Sequence, residues 1–202
     1  MCLGSDAVDF LVYSRDAAEA GTLRNDGELL EAHWSYMDRF AASMIARGPT
    51  LAADRETATG SLHVLELPNA DAAQMFVEGE PNNRAGVYAE HSVWRFENLL
   101  GRTMWEFSGA ADEPRFLIIA RLDGSEVSRE PVPAQGLSAE LRERLILYGA
   151  LYTLDSDRLV GVAVAVQSPN RELLDALLEE GWPGFAFVPE VEVHNWEFGG
   201  RR

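Results

Sequence analysis

One cysteine, Cys2, stands among 202 residues, so the chain has no internal disulfide and no thiolate set for a structural zinc. No uninterrupted apolar run approaches the roughly 20 residues of a membrane-spanning helix. Basic residues are scarce: 17 Lys and Arg against 33 Asp and Glu give a formal charge of −16. That charge repels phosphate backbones and anionic lipid, which argues against nucleic-acid and membrane partners. The opening Met1-Cys2-Leu3-Gly4-Ser5-Asp6 has neither the basic region nor the apolar stretch of a secretory leader, so a cytoplasmic chain is expected. Cofactor signatures are missing as well. There is no Gly-x-Gly-x-x-Gly, phosphate loop or Gly-x-Ser-x-Gly elbow, and no His-x-x-x-His or Glu-x-x-His pair on a helix. The expectation is no metal and no cofactor. What is present is ordinary for a folded domain: 47% apolar and 25% charged residues.

The chain also repeats itself. Sliding it by 101 positions sets Gly48 on Gly149, Asp54 on Asp155 and Gly60 on Gly161, and Leu67-Pro68-Asn69-Ala70-Asp71 on Ser168-Pro169-Asn170-Arg171-Glu172. Phe76-Val77-Glu78 meets Leu177-Leu178-Glu179, and after one inserted residue Pro81 meets Pro183. A further slip aligns Phe10–Arg15 with Phe116–Arg121. Two copies of one unit are expected, over residues 1–100 and 114–202, with a connector at 101–113. The aromatic residues of Leu99–Phe107 suggest that the connector's first part is packed, leaving Ser108–Pro114 as free linker.

Each copy reads as βαββαβ. The apolar runs Phe10–Tyr13 and Phe116–Ala120 are strands. In the first copy Leu30, Trp34, Met37, Ala41, Met44 and Ile45 share one side of a helix that Gly48-Pro49 should stop. In the second, a helix spans Ser138 to Tyr148, capped by Ser138. Strands Thr50–Ala53 and Gly60–Leu67, or Leu151–Leu154 and Leu159–Gln167, follow. A second helix opens at Asn69 or Asn170, and last strands run over Glu90–Glu97 and Pro189–Phe198. Four strands with two helices on one face is the ferredoxin-like arrangement, whose bare sheet face must be covered. Because Val162, Val164 and Val166 alternate with Ala163, Ala165 and Gln167, both faces of that strand are largely apolar. The expected class is α+β: two tandem ferredoxin-like units packed sheet to sheet as a barrel-like pseudo-dimer, either a monomer or paired in a homodimer.

The copies differ where chemistry could occur. Ser61, His63 and Leu65 become Val162, Val164 and Val166, and Glu80-Pro81-Asn82-Asn83-Arg84-Ala85-Gly86 becomes the uncharged Gly181–Ala186. His33 has no helical counterpart, since the same count back from Gly149 reaches Ala134 in the Pro131-Val132-Pro133 loop. His33 lies in the apolar arc beside Met37, Phe40 and Met44. Helix phase alone favours a core histidine satisfied by a backbone carbonyl, whereas a carboxylate partner would fix its tautomer for acid–base work. Glu80 follows the second helix, where a carboxylate opposes the dipole, and by itself suits a solvated turn. Asp54 persists as Asp155, which favours a turn role, though it is kept with His63 as a candidate ligand contact. His91 and His194 have no defensible partner spacing.

Taken together, His33, Gly48-Pro49, Gly60-Ser61, Glu80-Pro81 and Arg84-Ala85-Gly86-Val87-Tyr88 resemble the YCII-related family of the dimeric α/β-barrel superfamily, across most of the first copy. The resemblance implies ferredoxin-like units that associate sheet to sheet around a pocket holding a helical histidine and an acid. Glu80 stands where that family has aspartate before proline, and Leu30 stands where an arginine often precedes the histidine. It suggests a cofactor-free isomerase or a lyase of dehalogenase type acting on a small hydrophobic or aromatic compound. In that scheme His33 is the base, Glu80 its orienting acid and Ser61 a donor to an oxyanion, with His63, Asp54, Arg84 and Tyr88 as ligand contacts. The alternative is a non-catalytic small-molecule-binding or assembly module.

Overall fold

A computed structural model of the chain describes residues 7–122, 133–155, 158–174 and 190–200. The chain divides into two compact units, Met1–Phe96 with Phe198–Arg202, and Glu97–Glu197. It is an α+β protein with antiparallel strands and few helices.

In the first unit the order is β1 (Val8–Asp16), α1 (Gly21–Arg24), α2 (Gly27–Asp38), β2 (Met44–Leu51), β3 (Ala58–Leu67), α3 (Ala70–Gly79), α4 (Pro81–Arg84) and β4 (Tyr88–Asn98). The apolar run Phe10-Leu11-Val12-Tyr13 is fully buried, as an interior strand requires. β1 pairs with β3 on one side and β4 on the other, and β2 extends the sheet beyond β3. Both main helices start on side-chain caps. Asp26 accepts from the Leu29 amide at 2.9 Å to open α2, and Asn69 accepts from the Ala72 amide at 2.9 Å to open α3. Glu28 and Asp71 add negative charge to the first turns, where the helix dipole favours it.

The first-copy helix is shorter than its periodicity predicts. It ends at Asp38, and Met44–Leu51 is strand β2, so Gly48-Pro49 lies within a strand and stops no helix. After Asp38 the backbone tightens into turns of the i→i+3 kind, Phe40 to Met37 and Ser43 to Phe40. The residues at helical spacing after that point form a contiguous buried run, Met44-Ile45-Ala46, paired along β3. A short apolar run fits either period, and here the pairing with β3 decides. The same correction applies to the second copy: α5 is only Ala139–Arg144, and Leu145–Tyr152 is strand β6.

The second unit contains β5 (Arg115–Arg121), α5, β6, β7 (Leu159–Gln167) and β8 (Glu190–Trp196), in the sheet order β8–β5–β7–β6. Ser138 caps α5 through the Leu141 amide at 3.2 Å, and Asn170 accepts from the Leu173 amide at 2.8 Å. Every residue from Gly161 to Gln167 is buried. Phe116, Ile118, Tyr148, Val162, Val164 and Val166 form its core. The stretch read as free linker is tied down: Gln167 donates to the Ala110 and Glu113 carbonyls, and the Ser168 amide to Pro114. Trp105, read as packed, is half exposed. The matches at Leu177–Glu179, Gly181–Ala186 and Pro183, the Pro131-Val132 loop and the strand start at Pro189 lie outside the described residues. Among the described residues no helix is long and apolar enough to cross a membrane.

Gly60 and Gly161, aligned when the sequence is slid by 101 positions, share a local reason. A Cβ on Gly60 would run into the Ser14 carbonyl oxygen and reach 2.8 Å from Thr50 Oγ1, while one on Gly161 would run into the Ala120 carbonyl. Neighbouring backbone cannot yield cheaply. Gly60→Ala is therefore expected to lower unfolding free energy by roughly 1–3 kcal/mol, read from the urea midpoint at constant slope. Gly27→Ala, where nothing lies within 4 Å of the added atom, should stay within about 0.5 kcal/mol of wild type or gain stability.

Candidate functional site

The segment from Glu80 to Tyr88 is a complete helix in miniature. Glu80 is its N-cap, Pro81 occupies the first helical position, and the Glu80 Oε2 atom accepts from the Asn83 amide at 2.8 Å. At the other end Gly86 adopts φ +79°. Its amide donates to Asn83 O at 3.1 Å and the Val87 amide to Asn82 O at 2.9 Å, the double bond pattern by which a left-handed glycine ends a helix. Val87 and Tyr88 then turn inward and are buried. Glu80 therefore does not sit in a solvated turn against a helix dipole. It closes α3 but starts α4, so its charge lies at a helix N-terminus, and only 3% of its surface is exposed.

That placement leaves the second carboxylate oxygen free for His33. On α2, His33 Nδ1 is 2.6 Å from Glu80 Oε1. A carboxylate can only accept, so Nδ1 carries the proton and donates, and in the neutral imidazole the lone pair is on Nε2. The partner of His33 is thus a buried acid and not the backbone carbonyl that helix phase favoured. Its side chain is 16% exposed and borders a cleft of about 470 Å³ within the first unit, within the range of small-molecule sites.

Ser61 and His63, two residues apart on β3, border the same cleft. Ser61 Oγ accepts from Arg24 Nη2 at 2.7 Å and from the Tyr88 hydroxyl at 3.1 Å. Tyr88 is kept protonated, its pKa pushed up to about 12 by burial and by the nearby Glu80 charge. His63 packs edge-on against Phe76 with ring centroids 5.6 Å apart, and lies 6.0 Å from the His33 ring. Burial first, then the repulsion that a protonated His33 would exert and that Arg24 and Arg47 add, pushes its imidazole well below the usual histidine range, so it is neutral.

The remaining candidates are placed elsewhere. Asp54 accepts from the Glu56 and Thr57 amides and the Thr57 hydroxyl in the exposed β2–β3 turn. These bonds lower its carboxyl pKa to about 2, and it does not border the cleft. Arg84 is exposed and its Nε donates to the Glu78 carbonyl; it too is outside the cleft lining. His91 is exposed on β4, and His194 faces Glu192 in the second unit at 3.2 Å. Among the described residues no cluster of three metal-binding side chains occurs. Sequence reasoning missed Arg24, which lies on the separate short helix α1 beyond the reach of α2 periodicity. It also missed Phe198–Gly200, which border the cleft from the far end of the chain, the Gly199 amide donating to Arg47 O at 3.0 Å. Neither has a local sequence signal.

A model of the YCII-related domain matches residues 8–97. Among solved structures, the chain is similar to 5-chloro-2-hydroxyhydroquinone dehydrochlorinase from Burkholderia phenoliruptrix, determined with 2,5-dihydroxybenzoquinone. Identity is 32%, over 45% of this chain and 94% of that one, at a TM-score of 0.42. It is also similar to chlorite dismutase from Candidatus Nitrospira defluvii, determined with imidazole, at 9% identity over 95% of this chain and 92% of that one, with a TM-score of 0.54. The second likeness is one of fold. No curated protein matches the chain.

The neutral state of His63 carries a pH signature. The unfolded chain takes up a proton there below about pH 6.5 whereas the fold does not, so stability is fully present above that value and falls as the pH drops beneath it. Between about pH 7.5 and about pH 5.5, wild type should lose more unfolding free energy than His63→Gln, with a slope difference of up to about 1.4 kcal/mol per pH unit below 6.5. Denaturant melts at the two pH values measure it, and equal slopes would contradict the assignment.

Proposed function

The chain belongs to the YCII-related family, and from that premise we propose that its first unit is an enzyme that moves a proton on a small hydrophobic or aromatic compound, as an isomerase or an eliminating lyase. The observation that carries the reading is the 2.6 Å contact between His33 Nδ1 and the buried Glu80 carboxylate beside a ligand-sized cleft. Nε2 of His33 takes the proton from carbon, and Glu80 holds the ring in the required tautomer and stabilises the imidazolium that forms. Ser61 donates to the oxygen on which negative charge develops. His63 and Tyr88 serve as neutral walls, His63 facing the cleft and Tyr88 behind Ser61.

We further propose that the two units are copies of one ferredoxin-like module, with the site kept in the first. Support comes from the matching strand orders, the asparagine caps Asn69 and Asn170, and Gly60 and Gly161, each set against the carbonyl of its neighbouring strand. Where the first unit has Ser61 and His63, the second has Val162 and Val164, fully packed in its core. That is the pattern expected if only one copy retained a reaction.

A panel of candidate compounds tests the reaction without the natural substrate being identified. Hydroxyquinones, enolisable cyclic ketones and lactones are incubated with the protein in deuterium oxide, and deuterium entry at carbon is read by NMR. Wild type is expected to accelerate exchange on at least one compound. His33→Ala should lose that acceleration by roughly 10²-fold to 10⁴-fold while melting within a few degrees of wild type, and Glu80→Gln should fall between. Equal exchange with and without His33, or none above buffer across the panel, would leave a binding module without catalysis.

A further inference from the structure

We infer that Arg24 is a positioning residue that turns Ser61 into a donor for an oxyanion, so that the cleft takes its ligand with a charged oxygen, as a phenolate or enolate, in preference to a neutral compound of the same shape. This rests on the reading of the cleft as a small-molecule site.

A serine hydroxyl has two lone pairs and one proton. Both lone pairs of Ser61 are engaged, one by Arg24 Nη2 at 2.7 Å and the other by the Tyr88 hydroxyl at 3.1 Å. Tyr88, with its raised pKa, remains a donor in this bond. The Ser61 proton is therefore left to point into the cleft that Ser61 borders. A hydroxyl that accepts from a cation is polarised into a stronger donor, an effect that favours an acceptor bearing negative charge.

Arg24 is held for this task from several sides. Its Nη1 donates to Asp16 at 2.7 Å, its Nη2 also donates to the Gly60 carbonyl at 3.0 Å, and its guanidinium carbon lies 5.8 Å from the Tyr88 ring centre. The arginine side chain is 15% exposed and that of Asp16 7%, so the pair is poorly screened by solvent. Gly60 lies where no Cβ fits, and the residue after it is Ser61; adjacent residues of β3 thus supply both acceptors of the one guanidinium nitrogen. Arg24 itself also borders the cleft, and it acts on the ligand's oxygen through Ser61, whose hydroxyl it polarises. The second unit has Val162 at the place of Ser61 in the repeat, packed in its core, and lacks any such hydroxyl there.

The test compares two probes of one ring size: 2,5-dihydroxybenzoquinone, an acidic vinylogous acid used as its anion, and hydroquinone, which is neutral. Dissociation constants are measured by calorimetry near neutral pH. Wild type is expected to bind the anion at least tenfold more tightly than hydroquinone. Arg24→Gln and Ser61→Ala should each weaken the anion about tenfold or more, with hydroquinone changed less than twofold, and Arg24→Lys should recover part of the loss. Because Arg24→Gln strands the Asp16 carboxylate, the double variant Asp16→Asn with Arg24→Gln is measured as well, and it should show the same selective loss in a folded protein. Equal weakening of both probes, or undiminished preference for the anion in the double variant, would overturn the inference while leaving the His33 reaction standing. Binding of neither probe to wild type would overturn it together with the cleft as a small-molecule site, whereas loss of deuterium exchange in His33→Ala alone bears only on the reaction.

Discussion

Glu80 accepts from the Asn83 amide with one oxygen and from His33 with the other, so a helix start and a candidate base depend on the same buried carboxylate. An isolated ionised acid with 3% exposure would be costly. Here each oxygen has a donor, and the charge lies at the N-terminus of α4, where the peptide dipoles favour it. The two roles support each other. Pro81 and Gly86 fix where α4 begins and ends, that fixes the carboxylate, and the carboxylate fixes the imidazole tautomer. His33 in turn is carried on α2, whose phase is set by the Asp26 cap.

The cleft beside this pair has two polar poles of different kinds. At one, a histidine and an acid can exchange a proton. At the other, Ser61 is backed by Arg24 and by Tyr88, a donor whose own proton is firmly held. Between them His63 is a neutral ring against Phe76. The proposed proton abstraction next to a carbonyl requires at least an acid–base group and a donor for the developing oxyanion, and both kinds of group border this cleft.

Much of this was legible in the sequence, and the reasons differ by residue. The buried strand Phe10–Tyr13 and the caps Asn69, Asn170 and Ser138 followed from rules that act within a few residues. Comparing the two halves of the sequence picked out His33, Ser61 and Glu80, because the second half carries apolar or uncharged residues at the aligned places. Local rules failed where a tertiary partner decides. Met44-Ile45-Ala46 has helical spacing to Met37 but becomes strand because β3 is there to pair with it. Glu80 read as the end of one helix because the four-residue helix that it starts has no period of its own. Arg24 was invisible because its partners, Asp16, Gly60 and Ser61, are brought to it by the fold.

The central claim is that His33 presents Nε2 to the cleft because Glu80 holds its Nδ1 proton. Nitrogen-15 NMR of the histidine ring measures this most directly. The neutral ring should show a protonated Nδ1 and a bare Nε2, with a strongly downfield Nδ1 proton that disappears in Glu80→Gln. A ring protonated on Nε2 instead, or a spectrum that Glu80→Gln leaves unaltered, would contradict it.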